Sequence, residues 1–146
     1  MFSGSYLGVY FKELVAVKRV ITFGTFDLFH VGHANLFERA AAMGDALIVG
    51  VSTDELNADK KGRTPIYSFA DRVKIISSLR YVNLCFAEES LEKKAEYLRH
   101  YQADILVMGD DWKGRFDHLK DICDVVYLER TPSVSTTEII EVITSK

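Results

Sequence analysis

Apolar residues along this chain gather into five short, nearly unbroken runs, with helix-like spacing between them. The runs are VITF at 20–23, ALIVGV at 46–51, VNLCF at 82–86, ILVM at 105–108 and VVYL at 125–128. Apolarity without strict alternation predicts strands covered on both faces, as in a parallel sheet. Residues 34–40 read as a helix after the first run, with Gly44 as its C-terminal cap. Ser68 opens a second helix, with Asp71 three residues on and Val73, Ile76 and Leu79 as its apolar stripe. Ser90 opens a third through Leu91, Ala95 and Leu98, and the run Ser135, Thr136, Thr137 opens a last one through Ile139, Ile140 and Ile143. The polar, basic stretch 57–66, holding Gly62 and Pro65, predicts a loop. Strands alternating with helices predict βαβ units with right-handed crossovers, an α/β fold on a five-stranded parallel sheet.

Size and charge narrow the classes of function. A length of 146 residues suits one domain, read here as residues 18–146. Residues 1–17 have no basic leader and are interrupted by Lys12 and Glu13, unlike a signal peptide; they read as an N-terminal extension without assigned chemistry. A net charge of -3 argues against a broad nucleic-acid surface, whereas a small anion needs only a local cluster of cations. No apolar run approaches the roughly 20 residues that span a bilayer, so stable membrane insertion is not expected. Cys85 and Cys123 have no CxxC spacing and read as free buried thiols in a reducing compartment, the cytoplasm, with a disulfide as the lesser alternative.

Ligands of open α/β sheets sit beyond the carboxyl ends of the strands. The polar clusters at 24–33, 60–63, 110–112 and 130–137 each follow such an end and are expected to share one rim. The first is the richest, because His30 and His33 fall three residues apart where a helix begins and share one face. Free backbone N–H groups and the positive dipole end there suit a phosphate. A single buried histidine is ordinary packing; two at one helix mouth point to a site. Zinc ligation lacks an evident third and fourth ligand, and neither a GxSxG elbow, a P-loop nor a GxGxxG turn is present. Many donors with few nucleophiles fit phosphoryl or nucleotidyl transfer. Taken singly, each piece also has a plain structural reading: Lys60, Lys61 and Arg63 as a solvated loop, Asp110 and Asp111 as a turn, Ser135 and Thr136 as a helix cap.

The segment GTFDLFHVGH (24–33) matches the GTFDxxHxGH signature of the small cytidylyltransferases, within the HxGH nucleotidyltransferase superfamily. RTPSVSTT (130–137) resembles the second signature of that family, R-T-x-G-I-S-T-T, and MGDDW and RYV are similar to further family segments. The chain departs from these patterns at Ser133, Val134 and Asn83, where the family carries glycine, isoleucine and aspartate. The resemblance implies a single Rossmann-like, doubly wound domain and the transfer of CMP from CTP to an alcohol phosphate, with glycerol 3-phosphate the expected acceptor. Other phosphate acceptors, ATP in place of CTP, or a catalytically silent nucleotide-binding module are the alternatives. By the same resemblance, the catalytic His30 and His33 contact the triphosphate and stabilise the transition state, while Gly24, Thr25, Phe26, Asp27 and Gly32 shape the nucleotide turn. Arg130 is implied in catalysis and, with Ser135, Thr136 and Thr137, takes the β- and γ-phosphates, and Gly109, Asp110, Asp111 and Trp112 lie near base and ribose. Lys60 is implied to act in catalysis and, with Arg63, Arg72 and Lys94, to serve the acceptor. Mg2+ accompanying CTP and a homodimer with RYV near its interface are also implied.

Overall fold

All five apolar runs become parallel strands in the computed structural model, which describes residues 17–146 except Arg63 and Ser133, and only the backbone of Lys60 and Lys61. They are β1 (Arg19–Gly24), β2 (Ala46–Ser52), β3 (Leu84–Glu88), β4 (Ile105–Gly109) and β5 (Asp124–Leu128). Their order across the sheet is β3-β2-β1-β4-β5, so β1 sits centrally and the order reverses between β1 and β4. Val20 of β1 pairs with Leu47 on one side and Ile105 on the other.

Successive side chains on these strands enter two separate cores, as the pleat requires. Val20, Leu47, Val49, Val51, Ile105 and Val107 lie on one face with Phe37, Ala40 and Ile76. Those last three come from helices α1 (Val31–Ala41) and α3 (Phe69–Ser77). Ile21, Phe23, Ile48, Leu106 and Met108 lie on the other face, under Leu98 of α4 (Lys94–His100) and under Leu119 and Cys123. Helix α2 (Asp54–Lys61) follows β2, and α5 (Thr136–Thr144) ends the chain. The result is a doubly wound Rossmann-like sheet. Both cysteines are free, and burial pushes the Cys85 thiol up to about 11. Among the described residues no helix is long and apolar enough to cross a membrane.

Local structure departs from the sequence pattern at three points. The stretch expected as a loop from residue 57 begins as helix, because Thr53 caps Leu56 N at 3.1 Å and Asp54 and Glu55 suit the first turn. Lys60 and Lys61 therefore close α2, and Gly62 stops it with φ at 69° and its N–H on Ala58 O. Gly44 is not the cap of α1, which ends at Ala42; a Cβ on Gly44 would lie 2.7 Å from Val20 Cγ2. β3 starts two residues late because Asn83 serves as its entry clasp: its N–H donates to Leu47 O and its Oδ1 accepts Leu47 N at 2.8 Å. That contact uses one acceptor oxygen, which an amide supplies as well as the family's carboxylate.

Phe37 is fully buried and its ring meets Phe26 at 4.8 Å and Phe29 at 6.1 Å, joining the core to the turn that follows β1. Phe37→Ala is expected to lower the free energy of denaturant unfolding by about 3–5 kcal/mol. A loss below about 1 kcal/mol would show that this link is not part of the core.

Candidate functional site

The turn after β1 is strained, and its neighbours hold it in place. Gly24 leaves room for the Phe26 ring, whose Cζ would sit 2.7 Å from any Cβ there. Phe26 (φ 55°) and Leu28 (φ 47°) both adopt the left-handed region, a cost of about 1–3 kcal/mol each for residues of this kind. Between them, the Asp27 carboxylate accepts Leu28 N at 3.0 Å, Ile66 N at 2.7 Å and Tyr67 N at 2.9 Å. Three backbone donors on one buried carboxylate offset much of that strain.

The turn delivers His30 to the cap of α1. Nδ1 of His30 accepts Gly32 N at 3.0 Å, and Nδ1 of His33 reaches back to accept His30 N at 3.3 Å. Two imidazoles thus form a reciprocal capping box, the role usually filled by Ser or Thr with Glu. Their rings stack with centroids 3.7 Å apart, and His33 packs edge-on against Phe26. A Cβ on Gly32 would meet His30 Cε1 at 2.8 Å, so glycine is required beside the ring. An accepting Nδ1 carries no proton, which places the hydrogen of each neutral ring on Nε2. Burial holds His33 down to about 3, helped by the neighbouring His30 and opposed by Asp27. Burial, then the Arg130 guanidinium, lowers His30 as well. Near neutral pH the helix mouth therefore offers two uncharged Nε2–H donors.

The segment after β5 forms the adjoining wall. Asn35 Nδ2 of α1 donates to Thr131 Oγ1 at 3.0 Å, and Arg39 donates to Glu129 O at 2.9 Å. Val134 Cγ1 would lie 3.8 Å from a Cβ on Gly32, and Thr136 Oγ1 donates to Asp27 O at 2.8 Å. Ser135 caps α5 by accepting Glu138 N at 3.0 Å, while Arg130 and Thr137 are exposed. The N-termini of α1 and α5 are thereby tied side by side, and the first amides of each precede the intrahelical ladder. Beyond β4, residues Asp110–Trp112 make a 3₁₀ turn. A Cβ on Gly109 would meet Asp111 Oδ1 at 2.7 Å; Asp110 and Asp111 are exposed, and Trp112 packs on Phe116 with Arg115 over its ring.

Two residues expected on the acceptor side are inside the protein, which corrects their reading. Arg72 is fully buried and gives four hydrogen bonds to protein oxygens. Lys94 is buried too, 2.6 Å from Glu88 Oε2 and set over the rings of Phe23 and Phe116. Both charges are framework. The side chain of Lys60, and Arg63 entirely, lie outside the described residues. Sequence reasoning missed Asn57, which is fully buried: its Oδ1 accepts the Thr25 hydroxyl, and its Nδ2 donates to Ser52 Oγ and Thr53 O. It also missed Asp54 and Glu88, the carboxylates that answer Arg72 and Lys94. Among the described residues no group of three or more His, Cys, Asp or Glu converges as a metal cage.

Residues 21–142 match the family described as cytidylyltransferase-like. The chain belongs to that family. It is 48% identical over 125 residues to the glycerol-3-phosphate cytidylyltransferase of Bacillus subtilis (strain 168), covering 86% of this chain and 96% of that protein. With the protein of that name from Staphylococcus aureus (strain NCTC 8325 / PS 47) the identity is 47%, over 84% of this chain and 92% of the relative. An ethanolamine-phosphate cytidylyltransferase of Dictyostelium discoideum is more distant, 34% identical over 84% of this chain and 35% of its own length. A lipopolysaccharide core biosynthesis protein from Thermoplasma volcanium GSS1 shares the fold, with a TM-score of 0.70 and 24% identity over 79% of this chain and 98% of that one.

The depressed His33 pKa ties stability to pH. The unfolded chain takes up a proton near the ordinary 6.5 that the folded chain refuses until about 3, so stability falls as pH drops through that window. Compared with His33→Gln, the wild-type protein should lose about 1 kcal/mol more unfolding free energy per pH unit below about 6.5. Parallel pH profiles for the two proteins would contradict a neutral, half-buried His33.

Proposed function

We propose that this chain is a glycerol-3-phosphate cytidylyltransferase, moving CMP from CTP to glycerol 3-phosphate and releasing pyrophosphate. The observation that carries the reading is the imidazole capping box, with two Nε2–H donors beside Arg130 and the N-terminus of α5. Relatives of that name, nearly half identical and matched over almost their whole length, support the choice of nucleotide and acceptor.

The chemistry follows from the charges. A phosphate oxygen of the acceptor attacks the α-phosphorus of CTP, the bond to the bridging oxygen breaks, and pyrophosphate leaves. No covalent enzyme intermediate is needed. The acceptor phosphate is already ionised near neutral pH, so a general base adds little, and the task is to bring two anions together. Neutral imidazole N–H groups stabilise the charge growing on the phosphoryl oxygens without titrating. Arg130 and the α5 mouth at Ser135, Thr136 and Thr137 take the β- and γ-phosphates. Gly24, Thr25, Phe26 and Asp27 give the nucleotide a closely fitted backbone, with Asp110, Asp111 and Trp112 toward base and ribose. Lys60 and Arg63 serve the acceptor. Magnesium enters as part of the nucleotide substrate, screening the triphosphate charge. The protein acts as a cytoplasmic homodimer, residues 18–146 forming the enzyme domain, and its product feeds a polyol-phosphate polymer of the cell surface.

Pyrophosphate release measured for CTP, ATP, UTP and GTP against glycerol 3-phosphate, phosphoethanolamine and phosphocholine tests this directly. CTP with glycerol 3-phosphate should be fastest, and His30→Ala and His33→Ala should each lower kcat by about 10²-fold or more. Faster turnover with ATP or another acceptor would refute the substrate choice, and no turnover with any pair would leave a nucleotide-binding module.

A further inference from the structure

Arg72 is the largest side chain wholly withdrawn from solvent among the described residues. A buried guanidinium is costly unless every direction is answered, and the residues that answer it come from four separate places. Nη1 donates to Thr25 O at 2.9 Å, in the histidine turn, and to Ser52 O at 2.8 Å, at the end of β2. Nε donates to Tyr67 O at 3.1 Å, in the segment entering α3. Nη2 pairs with Asp54 Oδ1 at 2.8 Å, in the first turn of α2, and the other Asp54 oxygen accepts Phe69 N at 3.1 Å.

Tyr67 is held from both sides. Its carbonyl faces Arg72, and its N–H, with that of Ile66, is held by Asp27 of the histidine turn. Three carbonyl dipoles converging on one point repel each other unless a cation lies between them. Four of the five N–H directions of the guanidinium are spent on this task, leaving little to offer a substrate.

We propose that Arg72 is a positioning residue: it locks the histidine turn, the start of α2 and the segment entering α3 into one unit, so that the turn carrying His30 and His33 is held in a fixed relation to both helices. The catalytic consequence rests on the transfer reaction proposed above; the lock itself does not.

Two variants test it, Arg72→Lys and Asp54→Asn. The second keeps side-chain shape and leaves the guanidinium in place, so it remains informative where the first fails to fold. The readouts are backbone amide exchange at Ile66 and Tyr67, with Val107 in the core as reference, and steady-state kinetics with CTP and glycerol 3-phosphate. In Asp54→Asn, exchange at Ile66 and Tyr67 should quicken about tenfold although their acceptor, Asp27, is untouched, while Val107 stays unchanged. The value of kcat should fall about tenfold with both KM values shifting by less than about threefold. Unchanged exchange or unchanged kcat in Asp54→Asn overturns the proposal. So does an Arg72→Lys protein whose only defect is a raised KM for the acceptor, the mark of direct contact. If the wild-type protein turns over neither substrate, the exchange arm still reads the lock while the proposed reaction falls.

Discussion

The hydrogen bonds accepted by Nδ1 of His30 and His33 are the constraint on which the rest of this structure turns. They cap a helix, and in doing so settle the orientation of both rings and the nitrogen that bears the proton. An aspartate would cap α1 as well, but its second oxygen can only accept, which suits an anionic ligand poorly. Imidazole caps with one nitrogen and donates with the other. The cap thus occupies one nitrogen of each ring and leaves the other, with its hydrogen, to the proposed reaction.

That arrangement needs support, and the support explains much of the surrounding sequence. Left-handed Phe26 and Leu28 bend the chain so that His30 arrives at the cap, and Asp27 gathers three amides to hold the bend. Thr136 anchors α5 to the same turn through Asp27 O, and Asn57 ties Thr25 to the end of β2. On the opposite face of the sheet, the pair of Lys94 with Glu88 joins β3 to α4 beneath aromatic rings. Arg130 is exposed beside the histidine turn, whereas Arg72 and Lys94 are buried and hold the frame.

Much of this was legible from residues 20–33 alone. An unbroken apolar run, two glycines and two histidines at a helix start predicted a buried strand, a glycine turn and a helix, and the strand order puts that turn beside the reversal point. Ser68 and Ser135 signalled their helices because a hydroxyl cap leaves a local pattern. What stayed hidden depends on long-range pairing. Nothing local distinguishes an arginine on a surface from Arg72, whose partners lie 5 to 47 positions away in sequence. Lys94 was misread for the same reason, since Glu88 on the preceding strand becomes its partner only once β3 and α4 are packed. Asn57 and Lys60 looked like loop because their composition is polar, whereas the cap at Thr53 decides the helix.

The capping box fixes where each imidazole carries its proton, and nitrogen NMR of the protein labelled with 15N in its histidine side chains reads that position. Near neutral pH, about 7, both His30 and His33 are predicted to be neutral with the hydrogen on Nε2 and a hydrogen-bonded, unprotonated Nδ1, and His33 is predicted to stay so to well below about pH 5. Imidazolium signals, or a hydrogen on Nδ1 in either ring, would contradict the capping box and the donor role built on it.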